Sequence, residues 1–143
     1  MTERPFDLSR FVRAQAGVYP NALAELKNGE KRTHWMWFVF PQMLGLGLSE
    51  NARLFAISGM NEARAFLDHE LLGARLREAT QVVLTHANNR KAVEIFGPID
   101  CMKFKSSMTL FEAVSPEDSC FAGALAAFFE GNRDQATLDV LDR

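Results

Sequence analysis

Tyrosine occurs once in this 143-residue chain and cysteine twice. A chain almost without tyrosine lacks the residue that builds wet recognition surfaces. Cys101 and Cys120 cannot form a disulfide framework, and no secretory pattern opens the chain, so reduced thiols and a cytoplasmic location are expected. The three histidines, His34, His69 and His86, fall into no HxxxH spacing, and no CxxC exists, so no metal is expected. A nucleophile elbow, a Walker loop and a full GxGxxG are also missing, so no cofactor and no catalytic residue are assigned. No apolar run approaches the roughly 20 residues that span a bilayer, so no membrane partner is expected. A basic excess is lacking too: 16 basic residues face 18 acidic ones, for a formal charge of -2. That argues against nucleic acid as a partner. Internal repeats and low-complexity segments are not visible, and nothing fixes an oligomeric state.

What the chain has is phenylalanine, 12 copies, within a hydrophobic fraction of 48% and a charged fraction of 24%. That composition suits one ordered domain over residues 1–143, with its core from about 7 to 141. The stripe Leu8, Phe11, Val12, Gln15 makes a first helix that Gly17 stops. Pro20 opens a second that Asn28-Gly29 closes. In "HWMWFVF" (34–40) six bulky apolar residues follow a histidine. As a helix it would be apolar nearly all round and buried; it is read as a helix because no partner strand exists, ending at Phe40 before Pro41. Thr33, Ser49 and Ser58 stand where caps are wanted. A long amphipathic helix carries Leu72, Leu76, Val83 and Leu84 inward. Gly97 closes a short helix and Pro98 opens the next, and Ser115-Pro116-Glu117-Asp118 starts another. No segment alternates cleanly, so the expected fold is all-α, a single compact domain of about eight or nine helices.

Four groups of residues carry candidate chemistry. "GLGLSE" sets Gly45 and Gly47 before a helix start at Ser49, where free N–H groups suit an anion; the alternative is a plain glycine turn under a capped helix. His34 and Trp37 share a helical side with Phe38 and Pro41, so they form either a ligand wall, with His34 and Gln42 as polar handles, or a core helix. On that reading Trp37 is largely buried. Glu62 and His69 lie on one stripe with Phe66 and could do acid–base work, or line an ordinary helix face. In "DCMKFKSSMTLF" (100–111), Asp100, Lys103 and Ser107 share one face and Ser106 and Thr109 another. So many hydroxyls suit a buried polar network or an oxyanion-binding face, or hydroxyls bonding back to their own helix.

Together "ALAELKNGEKRTHWMWFVFPQMLGLGLSE", "EARAFLDHELLGARL", "FGPIDCMKFKSSMTLF" and "FFEGNRDQATLDVL" resemble the small bacterial family called domain of unknown function 1810, from about Asp7 to Leu141. The family pattern matches His34, Trp35, Trp37, Phe38, Pro41, Gln42, Gly45 and Gly47. It continues through Glu62, His69, Gly73, Arg75 and Leu76, and then Asp100, Lys103, Ser106, Ser107 and Thr109. Phe55 stands where the family usually has Tyr, and Glu70 where it usually has Pro. The resemblance implies a single all-α domain and no assigned biochemical role. Members are often labelled calpastatin, a disordered inhibitor, which a Phe-rich, regularly capped chain does not match.

Two functions compete. One is a pocket that binds or processes a small anionic metabolite, a nucleotide or ADP-ribose-like compound, through His34, Gln42, the Gly45–Ser49 loop, Lys103 and Ser107. A likeness to small ADP-ribose-linked helical domains points the same way by analogy. The other is a helical protein-interaction module without an active site. The first requires His34, Gln42, Lys103 and Ser107 to share one concave pocket.

Overall fold

A computed structural model describes residues 6–142. Among them are nine helices: α1 Ser9–Gln15, α2 Tyr19–Lys27, α3 Met36–Val39, α4 Glu50–Leu54, α5 Met60–Asp68, α6 Glu70–Leu84, α7 Ala92–Val114, α8 Ser119–Phe129 and α9 Gln135–Leu141. The all-α expectation holds. The only sheet-like feature among the described residues is an isolated bridge, Met43 beside Ile57. The Ile57 amide donates to Gln42 O and the Leu44 amide to Ile57 O, both at 2.8 Å, which pins the loop after α3.

Long α7 packs against α5, α8 and α9, and α6 packs against α2, α5 and α8. Between them runs a chain of phenylalanine rings: Phe11 edge-on to Phe66 at 5.0 Å, Phe66 near Phe111, and Phe111 near Phe121. Phe40, Phe96 and Phe104 make a second cluster, with Phe96 stacked on Phe104 at 4.7 Å. These rings are where the abundant Phe of the sequence goes. Phe55, the position where the resembled family usually has Tyr, is buried against Phe11 and Phe38, so it packs.

The tryptophan block forms a helix of only four residues, Met36–Val39, with Trp35 just outside it. Trp37, expected to be largely buried, packs half-buried against the core, while Trp35 is the fully enclosed indole. The reason is Glu25. This acid sits on the inner side of α2 and accepts hydrogen bonds from the Arg32 and Thr33 amides, the Thr33 hydroxyl, Asn21 and the Trp35 indole. It folds residues 30–35 over itself and draws Trp35 inward. Thr33, expected to cap the next helix, spends its hydroxyl on Glu25 instead. Ser58 likewise does not cap α5: its amide donates to Glu62, and Gly59 holds the cap position.

Helix α7 is broken where the sequence suggests. Gly97 has φ +84°, a left-handed angle open to glycine, and Pro98 then starts the next turn. The break brings Ile99, Asp100 and Lys103 to the surface beside residues 31–37. No helix among the described residues is long and apolar enough to cross a membrane.

Candidate functional site

The Glu25-held loop fixes the first wall of a cleft. The Lys31 amide donates to Ile95 O at 2.7 Å, and its Nζ to Thr33 O at 2.6 Å. That Nζ also pairs with Asp100 Oδ2 at 2.8 Å, with only 6% of the Lys31 side chain exposed, and lies 5.1 Å from the centre of the Trp35 ring. The other wall is α7 after its break. Lys103, one turn beyond Asp100, approaches Asp100 Oδ1 at 3.6 Å and sits 5.1 Å over the Trp37 ring. Each lysine therefore covers one indole, and a single carboxylate stands between the two ammonium groups. A cation held over an indole face gains attraction beyond its ion pair.

Two adjoining cavities meet at Lys103 and Ile99. The first, about 300 Å³, is lined by Lys31, His34, Trp37, Pro98, Asp100 and Lys103 among others. The second, about 390 Å³, takes in Gln42, Gly47, Ser49, Met102, Lys103, Ser106 and Asp134. Its apolar rim is open: Leu48 is 81% exposed, Ile99 73% and Met102 50%. A larger hollow of about 640 Å³ lies elsewhere, between the starts of α5 and the end of α9. Its one carboxylate, Glu62, is already committed to Arg10 at 3.1 Å and to the Ser58 amide at 2.7 Å. We therefore centre the site on Lys103.

The sequence candidates separate in space. His34, Trp37, Asp100 and Lys103 share the first cavity; Gln42, Gly47, Ser49, Lys103 and Ser106 share the second. So His34 and Gln42 line different cavities that share Lys103, and Ser107 lines neither; the four-residue pocket that the metabolite reading required does not form, and what remains is the smaller group of Lys31, His34, Trp37, Asp100 and Lys103. Ser107 is fully buried, its hydroxyl without a hydrogen-bond partner. Gly45, at φ +98°, turns the loop and does not line the cleft. A Cβ on Gly47 would lie 2.6 Å from that of Ala52, and the Ser49 hydroxyl accepts from the Ala52 amide. The glycine turn and its cap are thus explained by packing. Glu62 and His69 are no acid–base pair: Glu62 bonds Arg10 and Ser58, while His69 Nδ1 accepts the Leu71 and Leu72 amides as the cap of α6.

Two hydroxyls of α7 bond back to their own helix, Ser106 to Met102 O at 3.1 Å and Thr109 to Lys105 O at 2.8 Å, and the same two also reach Asp134. Ser106 donates to Asp134 at 2.9 Å, Thr109 accepts the Asp134 amide at 2.9 Å, and Asp134 caps α9 at Thr137. Burial pushes the thiols of Cys101 and Cys120 up, aided by Asp100 and Asp118. Both cysteines are free. The sequence reading passed over Lys31 as a partner for Asp100, and Glu25 as the organiser of the loop. The spacing of Tyr19, Ala22 and Glu25 on one helical stripe was the available signal for Glu25.

A family model described as "Protein of unknown function (DUF1810)" matches residues 5–141. In crystal form, a conserved hypothetical protein of Mycobacterium tuberculosis is similar to the chain at 48% identity. The match covers 97% of this chain and 99% of that one, with a TM-score of 0.94. Among curated proteins, none matches the chain significantly.

Proposed function

The chain belongs to the family described as "Protein of unknown function (DUF1810)", which carries no activity to transfer, and we propose from the Lys103 cleft that it binds a small organic anion. Nucleotides and ADP-ribose-like compounds are the first class to try. The observation that supports the reading is the charge arrangement: Lys31 and Lys103 face the single carboxylate of Asp100, which leaves one formal positive charge in a concave site. Lys103 is the better-placed partner for a ligand, because its bond to Asp100 is the longer one and its side chain the more exposed, 26% against 6% for Lys31. Trp37 supplies a flat wall of the first cavity, with Lys103 5.1 Å over its ring, and its Nε1 has no hydrogen-bond partner. His34 stands on the rim. Binding is what this arrangement supports; it assigns no chemical step.

A thermal-shift screen of nucleotides, sugar phosphates and simple carboxylates tests the reading. A ligand at about 100 times its dissociation constant adds about 2.7 kcal/mol. At least one anion should raise the melting temperature of the wild type and fail to do so in a folded Lys103→Met variant. Absence of any Lys103-dependent shift defeats the proposal. The second reading, a protein-interaction module, draws on the exposed Leu48, Ile99 and Met102. These three surround a hollow rather than form a flat face, which favours a small ligand over a broad partner.

A further inference from the structure

We infer that the two cavities are one bipartite cleft whose ligand is an amphipathic monoanion: a singly charged head at Lys103 and an apolar portion lying over Ile99 and Met102. This rests on the reading of the cleft as an anion site and narrows it away from nucleotides and ADP-ribose-like compounds, whose phosphate groups carry roughly two or more charges, toward singly charged ligands.

The head follows from the charges. Lys31 is nearly enclosed and its ammonium is held by Asp100 and by Thr33 O, so it is committed to the fold. Lys103 is held to Asp100 only at 3.6 Å. An incoming head group therefore competes with Asp100 for Lys103 alone. One negative charge balances the one formal positive charge that Lys31, Asp100 and Lys103 leave. A second negative charge on the head would lie beside the Asp100 carboxylate with no cation to answer it, and like charges a few ångströms apart repel strongly away from bulk water. Asp100 is thus a specificity-determining residue that screens out doubly charged heads.

The apolar portion follows from the wall. Lys103 and Ile99 line both cavities, so a ligand whose head reaches Lys103 has the second hollow next to it. Ile99, Met102 and Leu48 around that hollow are among the most exposed large hydrophobic residues of the chain. Covering them removes apolar surface from water, which is favourable in proportion to area.

The test uses the full chain and four probes: butyrate, octanoate, octanol and octyl phosphate, titrated calorimetrically at about pH 8, where a phosphate monoester carries close to two charges. Octanoate should bind at least about tenfold more tightly than butyrate, since each buried methylene contributes up to about fourfold. It should also bind more tightly than octanol and octyl phosphate. Ile99→Asn and Met102→Gln, both at exposed positions, should shrink the octanoate–butyrate gap without unfolding the protein. Asp100→Asn should reverse the order of octanoate and octyl phosphate. Tighter binding of octyl phosphate by the wild type, or equal binding of butyrate and octanoate, overturns the inference while leaving the anion site standing. If no anion binds in a Lys103-dependent way, the anion site itself fails and the inference with it.

Discussion

The indole nitrogen of Trp35 donates to a carboxylate oxygen of Glu25 across 2.9 Å, with both side chains out of water. Burial alone would raise the Glu25 pKa. The hydrogen bonds from the Thr33 hydroxyl, the Arg32 and Thr33 amides and the Trp35 indole outweigh it and hold the group at about 2, against an ordinary 4.5. A depressed carboxyl pKa stabilises the fold fully above the unfolded value, and that stability drains away as pH falls toward the folded one. The gap corresponds to about 3 kcal/mol. In urea unfolding followed between about pH 5 and pH 2, the wild type should lose about 3 kcal/mol more than Glu25→Gln, the loss common to both coming from other carboxyls with lowered pKa values such as Asp118. Equal losses in both would mean that Glu25 is not the group.

Trp35 and Trp37 should separate cleanly by mutation. Trp35→Ala empties an enclosed site and strips Glu25 of a donor, so a loss of about 3–5 kcal/mol is expected. Trp37 is half-buried, and Trp37→Ala should cost about 1–2 kcal/mol. Chemical denaturation of both variants checks the order. A larger loss for Trp37→Ala would place the structural indole on the wrong residue.

Much of the fold was legible in the sequence because its stops are glycines with left-handed angles. Gly17, Gly29 and Gly97 all have positive φ, and each lies at a helix end or break expected from the sequence. The site was less legible. The facing of Asp100 and Lys103 follows from helical spacing within one element and could be read. The pairing of Lys31 with Asp100 spans α2, the loop and α7, and no local pattern encodes it. Periodicity also failed to single out Trp35 as the enclosed indole, because it assumed helix from His34 onward. The helix starts at Met36, and Glu25, a residue of another element, decides which tryptophan turns inward.

Gly73 answers to packing between α5 and α6. A Cβ there would lie 2.0 Å from the carbonyl oxygen of Leu67, a backbone atom that cannot step aside. Gly73→Ala should therefore destabilise by about 2 kcal/mol or more, despite the better helix propensity of alanine. Thermal unfolding measures it. A neutral or stabilised variant would contradict the close approach.

Asp134 ties α9 to α7. It accepts from Ser106 and caps at Thr137, and its amide donates to Thr109. Asp134→Ala should cost about 1–2 kcal/mol, the upper range for a lost helix cap. It should also speed hydrogen exchange in residues 135–141 more than elsewhere. Exchange that rises evenly over the whole chain would deny α9 its separate tether.

The central claim is that a small anion enters the cleft beside Trp37 and Lys103. The most direct measurement is the pair of indole N–H signals in a nitrogen–proton correlation spectrum, assigned with Trp37→Phe and followed while an anion selected by thermal shift is added. The Trp37 signal, whose N–H has no partner in the structure, should move with saturation, while that of Trp35, bonded to Glu25, stays in place. The movement should vanish in Lys103→Met. A stabilising anion that leaves the Trp37 signal unmoved would contradict the account.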